Sequence, residues 1–147
     1  MIDILSGLLT PLIAFITVTI LILQYLLAKR RWRLDLYDKR YPVYLATMQY
    51  LSCIVQNADI TNEELTKFLR NSKDKDFLFG KDVQEYLEEL YKKGVRLNYL
   101  VKKLEPEPVG EKGGKLVDEE MDLVEWFSKQ FEESKKHFGK YLKIDKK

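Results

Sequence analysis

Few residues of this 147-residue chain have side chains suited to chemistry. The single histidine, His137, stands near the C-terminus beside Lys135, Lys136 and Phe138, which is the setting of a surface histidine. Cys53 is the one cysteine, so no intramolecular disulfide framework and no Cys-cluster zinc site can form, and the usage fits a reducing compartment. Neither a Ser-His-Asp order nor a Cys-His signature is visible. Gly110-Glu111-Lys112-Gly113-Gly114-Lys115 resembles a phosphate loop only superficially: the spacing is broken, Leu116 follows the last lysine, and no strand precedes the glycines. Carboxylates run together at Asp118–Glu120 and at Glu132-Glu133. Lysines at helical spacing counter them, as on a solvated helix face. The chain therefore reads as non-enzymatic, with no catalytic, metal or cofactor-binding residues.

Two further activities fail on pattern. Helix-bundle ribonucleases of the HEPN class carry R-x(4–6)-H, and no arginine lies at that distance before His137. An RNA-acting bundle is thus disfavoured. A net charge of +2 excludes an overtly basic nucleic-acid binder, and no specific nucleic acid is expected.

What must position any function is an uneven chain. An average of 46% hydrophobic and 33% charged residues describes neither of its parts. None of the charged side chains lies between Ile4 and Ala28, where 18 of 25 residues are hydrophobic, while the remainder is about 39% charged. At about 1.5 Å per residue, 25 helical residues cover roughly 37 Å, enough to cross a hydrocarbon core of about 30 Å with some tilt. A cleaved signal peptide fits poorly, because there is no positive n-region, the apolar run is long, and no small-x-small site precedes the basic cluster. Only Asp3 precedes the segment, whereas Lys29, Arg30, Arg31 and Arg33 follow it. The positive-inside rule then places residues 1–28 as a transmembrane helix with its N-terminus outside, and residues 29–147 in the cytoplasm. Tyr25 and Trp32, with those four basic residues, are the expected interface anchors.

The segment also has a seam. Steps of four and three residues select Asp3, Gly7, Thr10, Ala14, Thr17, Leu21, Gln24 and Ala28, all small or polar except Leu21. Such residues let membrane helices approach closely and hydrogen-bond across the contact. Asp3, Gly7, Thr10, Ala14, Thr17 and Gln24 are the expected oligomerisation face, and a possible pore face, of a homo-oligomer. The lipid bilayer and a cytoplasmic protein are the other expected partners.

Beyond Lys29 no period-2 run appears, which predicts an all-α fold: the membrane helix continuing into a small antiparallel helical bundle. Three apolar stripes mark its helices. The first is Leu34, Tyr37, Tyr41, Tyr44, Met48, Leu51 and Val55, on a helix reaching about Asn57 that Pro42 should bend. The second is Val83, Leu87, Leu90, Gly94, Leu97, Val101 and Leu104. The third is Val117, Met121, Val124, Ser128 and Phe131, broadened by Phe127 and Phe138, on a helix from about Lys115 to Lys136. Thr61-Asn62-Glu63-Glu64 predicts a capping box opening a short helix through Arg70. Phe77-Leu78-Phe79 is expected to plug the core. Residues 105–114, rich in Pro and Gly, are expected to form a flexible loop.

Several blocks together carry a resemblance. They are the basic Trp patch after the membrane helix, Leu36-Tyr37-Asp38-Lys39-Arg40-Tyr41 with Val43-Tyr44, Phe77-Leu78-Phe79-Gly80, Trp126-Phe127, Gln130-Phe131, and Phe138-Gly139-Lys140-Tyr141-Leu142. Over nearly the whole chain this resembles an uncharacterised family of small bacterial single-pass inner-membrane proteins. The resemblance implies a bacterial inner-membrane location and no particular activity. In architecture alone the chain is similar to single-pass phage-defence effectors that couple a helical cytoplasmic domain to a membrane ring. The expected function is a self-associating membrane protein that perturbs or permeabilises the bilayer. The alternative is a membrane-tethered scaffold whose bundle recruits a soluble protein.

Overall fold

The structure, a computed structural model, describes residues 2–104 and 111–143, with side chains at Gly7, 9–104 and 113–143. It is all-α: α1 (Ile2–Asn57), α2 (Asn62–Asn71), α3 (Lys75–Leu78), α4 (Lys81–Leu104) and α5 (Glu111–Leu142). Two compact units divide at Leu36 and Tyr37. The first is the N-terminal part of α1. The second holds the remainder of α1 and the other four helices.

Helical backbone continues across both Pro11 and Pro42 in α1. At its end Ala58 adopts φ 52°, the left-handed conformation that commonly stops a helix. The expected capping box is present: Thr61 Oγ1 accepts from Glu64 N, and Thr61 N donates to Glu64 Oε2 at 2.9 Å. α5 is longer than its apolar pattern predicts. It starts at Glu111, so the last four residues of the expected loop form its first turn, and it runs through Gly139 to Leu142. Residues 105–110 of that loop lie outside the described residues.

Contacts inside the second unit fix the helix directions. Tyr44 meets Phe138 and Tyr50 meets Phe127, so α1 and α5 are antiparallel. Tyr86 bonds Ser134 and Arg96 bonds Glu119, so α4 and α5 are antiparallel as well. α2 packs on α1 and α4, with Phe68 stacked on Tyr50 and Lys102 bonded to Asn62. The core is Leu51, Ile54, Ile60, Leu87, Leu90, Leu97, Phe127 and Phe138 with their neighbours.

Of the three expected stripes, the second is the buried face of α4 through Leu97. The other two hold in part: Leu51, Phe127 and Phe138 are buried, and Tyr44, Met48, Val55, Val124 and Phe131 pack against the core. On α1 the buried positions are Val43, Ala46, Thr47, Tyr50, Leu51 and Ile54, while Leu34 and Tyr41 are exposed. On α5 they are Phe127, Gln130, Ser134 and Phe138, while Val117, Met121 and Ser128 are exposed. Both buried faces include polar members that a purely apolar stripe skips. Thr47 satisfies its hydroxyl on Val43 O at 2.9 Å and Ser134 on Tyr86, which makes their burial cheap. The Phe77 plug is also corrected. Phe79 enters the core and Leu78 packs against it, but Phe77 is 90% exposed.

Candidate functional site

The longest uninterrupted feature is α1 itself. Among the described residues it is the one helix long and apolar enough to cross a membrane, and none of its apolar window is buried. Leu9, Leu12, Ile13, Phe15, Ile16, Val18 and the apolar residues that follow, through Leu27, are all exposed. The seam positions lie on this single helix, so their spacing becomes one face. Thr10, Ala14, Thr17, Leu21, Gln24 and Ala28 are exposed, and a Cβ added at Gly7 would meet nothing within 4 Å. Asp3 belongs to α1, but its side chain lies outside those described. The Thr17 and Thr19 hydroxyls donate to Ile13 O and Phe15 O, each at 2.8 Å, which satisfies the donors inside the helix and leaves oxygen lone pairs as acceptors. Tyr25, Lys29, Arg30, Arg31, Trp32 and Arg33 are all exposed.

Where the chain enters the second unit, the structure builds a cluster that the sequence reading did not find. Arg40 Nε donates to Leu78 O at 2.8 Å, and its Nη1 reaches Tyr141 O at 3.5 Å. Its guanidinium also lies over the rings of Phe79 and Tyr141. Tyr141 in turn donates to Asp82 Oδ1 at 2.7 Å and accepts from Gly80 N at 3.0 Å. Asp82 pairs with Lys140 at 2.8 Å, and that bond, with the one from Tyr141, holds its carboxyl below the usual range. The cluster ties α1, the turn around α3, the start of α4 and the end of α5 together. Gly80 is required there, because a Cβ would stand 2.5 Å from Tyr141 Oη. The only sequence signal was the concentration of aromatics around Phe79 and Tyr141.

The residues with reactive chemistry are committed to structure. His137 is half-buried with its ring stacked on Tyr86 at 4.3 Å, rather than free on the surface. Tyr86 Oη lies 2.7 Å from Ser134 Oγ and donates to Gln130 O; burial, reinforced by Glu133 and Glu89, pushes its ionisation up to about 12. Cys53 Sγ donates to Glu64 Oε1 at 2.7 Å, which raises the thiol's ionisation and keeps it from acting as a thiolate. Among the described residues no three of His, Cys, Asp and Glu gather to hold a metal ion. One open hollow of about 430 Å³ is lined by Ala58, Met121, Val124 and Ser128 with the carboxylates of Glu120, Asp122 and Glu125. No family model, curated protein or solved structure matches the chain.

Proposed function

We propose that the chain is a single-pass membrane protein that self-associates through the seam of its apolar helix and acts on the bilayer rather than on a substrate. The supporting observation is one uninterrupted helix whose small and polar positions share a face inside a wholly exposed apolar surface. Water does not tolerate so long an unburied apolar surface on a monomer, and lipid does. In this reading the helix crosses the bacterial inner membrane with its N-terminus outside and the bundle in the cytoplasm, as the basic residues after Ala28 favour. Assembly would line up Thr10, Thr17 and Gln24 of neighbouring copies, where threonine oxygens accept hydrogen bonds and Gln24 can donate them.

The test is reconstitution. Wild-type chain in lipid nanodiscs or native-like vesicles should cross-link and weigh as an oligomer. Thr10→Leu, Thr17→Leu and Gln24→Leu together should return it to a monomer. A wild-type monomer, or undiminished association of the triple variant, sinks the proposal.

A second reading is favoured by the hollow beside Ala58. There Met121 is 66% exposed beside three carboxylates, a surface suited to a basic amphipathic segment of a soluble partner. A scaffold of this kind would keep its function when α1 through Ala28 is exchanged for an unrelated membrane anchor.

A further inference from the structure

Charge in the second unit is sorted by end. Its entry end comprises residues 37–41, 72–82 and 138–143, which the Arg40–Leu78, Arg40–Tyr141 and Tyr141–Asp82 bonds bring together. These stretches hold seven basic residues against four acidic. The opposite end comprises residues 58–64, 96–104 and 113–122, which the Asn98–Ile60, Lys102–Asn62 and Arg96–Glu119 bonds bring together. It holds four basic against seven acidic. The two imbalances, +3 and −3, cancel in the near-neutral total and become visible only once the fold assigns each stretch to an end.

The entry end also carries Phe77. At 90% exposure it is the most exposed large hydrophobic residue described, above even Phe15 at 73% in the apolar helix. Its neighbours Leu78 and Phe79 are held by Arg40 and by the core, so the backbone of this turn is fixed while the Phe77 ring projects into solvent. Lys73, Lys75 and Lys81 alternate near it with Asp74, Asp76 and Asp82, and Lys75 is paired with Glu88 at 3.1 Å, so the positive excess of this end comes from Lys39, Arg40, Lys140 and Lys143 set against Asp38. An exposed aromatic ring on an end of net positive charge suits a bilayer contact, in which the ring enters the headgroup region and the uncompensated basic groups meet anionic lipid.

From these observations, and on the reading of α1 as a membrane span, we infer that the entry end of the bundle is a lipid-contact surface. Phe77 inserts into the leaflet through which the chain arrives, and the surrounding basic residues bind anionic headgroups. Tyr37 follows the apolar unit directly in the chain, so this end is covalently tethered to the proposed span, and its positive excess complements anionic lipid. The acidic end would then stand away from the membrane, because anionic lipid repels it.

Depth measurement by spin labelling of the full chain tests this. A nitroxide is placed by Phe77→Cys in a Cys53→Ala background, with Lys102→Cys at the acidic end and Leu21→Cys in the apolar helix as references. In vesicles of mixed phosphatidylcholine and phosphatidylglycerol, the ratio of oxygen to nickel-chelate collisions at position 77 should exceed that at 102 several-fold. It should fall in pure phosphatidylcholine. Equal ratios at 77 and 102, with Leu21 still reporting the bilayer interior, overturn the contact while leaving the span intact. A water-exposed Leu21 label brings down the span and the contact together. Dipolar broadening at 77 that disappears on dilution with unlabelled chain, together with an oxygen-to-nickel ratio at 77 that does not change between the two lipid compositions, assigns Phe77 to a second copy and also overturns it.

Discussion

At the residue scale, two backbone positions carry sharp expectations. Ala58 sits at φ 52°, where a Cβ crowds the following carbonyl at a cost of roughly 1–2 kcal/mol. Ala58→Gly relieves that strain but gives the unfolded chain more freedom, so a net stabilisation of about 0.5–1 kcal/mol is expected from chemical unfolding of the bundle. Gly94 is the reverse case. A Cβ there would collide with Tyr50 Oη, which is buried and bonded to Leu90 O at 3.2 Å, and would crowd Leu65 Cδ2 at 3.2 Å. Overpacking of that kind costs about 1–3 kcal/mol, so Gly94→Ala should lower the unfolding midpoint clearly. Tyr50→Phe in the same chain should recover part of the loss, since it removes the clashing oxygen. Additive losses in the double variant would show that the crowding lies elsewhere. The sequence placed Gly94 on a buried stripe, yet the reason for glycine rests on a tyrosine 44 positions earlier that no local pattern connects to it.

At the element scale, helix existence was legible and helix facing was only partly so. The long α1 ending at Asn57, the Thr61 capping box and the buried face of α4 all follow from local pattern. α5 shows why the remainder did not. Its apolar residues Val117 and Met121 lie on solvent, whereas Ser134 is buried because Tyr86 supplies its hydroxyl with a partner. Polar burial is decided by what stands opposite, and that information is tertiary. The burial of the Tyr86 hydroxyl against α5 makes the fold sensitive to alkali. An unfolded tyrosine ionises near 10, whereas Tyr86 in the fold ionises at about 12. The folded value is the higher one, so its contribution is complete below pH 10 and is lost as pH rises from about 10 to about 12. Unfolding of the detergent-solubilised chain, followed by helical circular dichroism, should therefore show stability falling in that window. Tyr86→Phe should flatten the fall while lowering stability at neutral pH by about 0.5–1.5 kcal/mol, through the lost hydrogen bond to Ser134. An unchanged alkaline slope would contradict the assignment. Tyr50, whose ionisation burial also raises, accounts for the slope that remains.

At the scale of the whole molecule, the informative quantity is where charge sits rather than how much there is. Composition reports +2, and the chain resolves this into an uncharged apolar helix, a collar of four basic residues, and a bundle with a basic and an acidic end. The collar was legible directly, because it is contiguous in sequence. The bundle's polarity was not, because each end is assembled from stretches up to about a hundred residues apart, as the Arg40–Tyr141 contact illustrates. The two features carry different work in the proposed orientation. Topology is set by Lys and Arg close to the span, and a translocating chain reads them before the bundle has folded. Replacing Lys29, Arg30, Arg31 and Arg33 with Gln, and adding three lysines just after Met1, should therefore reverse the insertion in a substantial fraction of chains. Protease digestion of spheroplasts would detect it: the wild-type bundle should be protected, and the charge-swapped bundle cleaved. Neutralising Lys73, Lys75 and Lys81 instead leaves the collar intact and should leave the bundle protected. Cleavage of the wild-type bundle from outside would reverse the proposed orientation, and cleavage after the bundle-only change would move its control away from the collar.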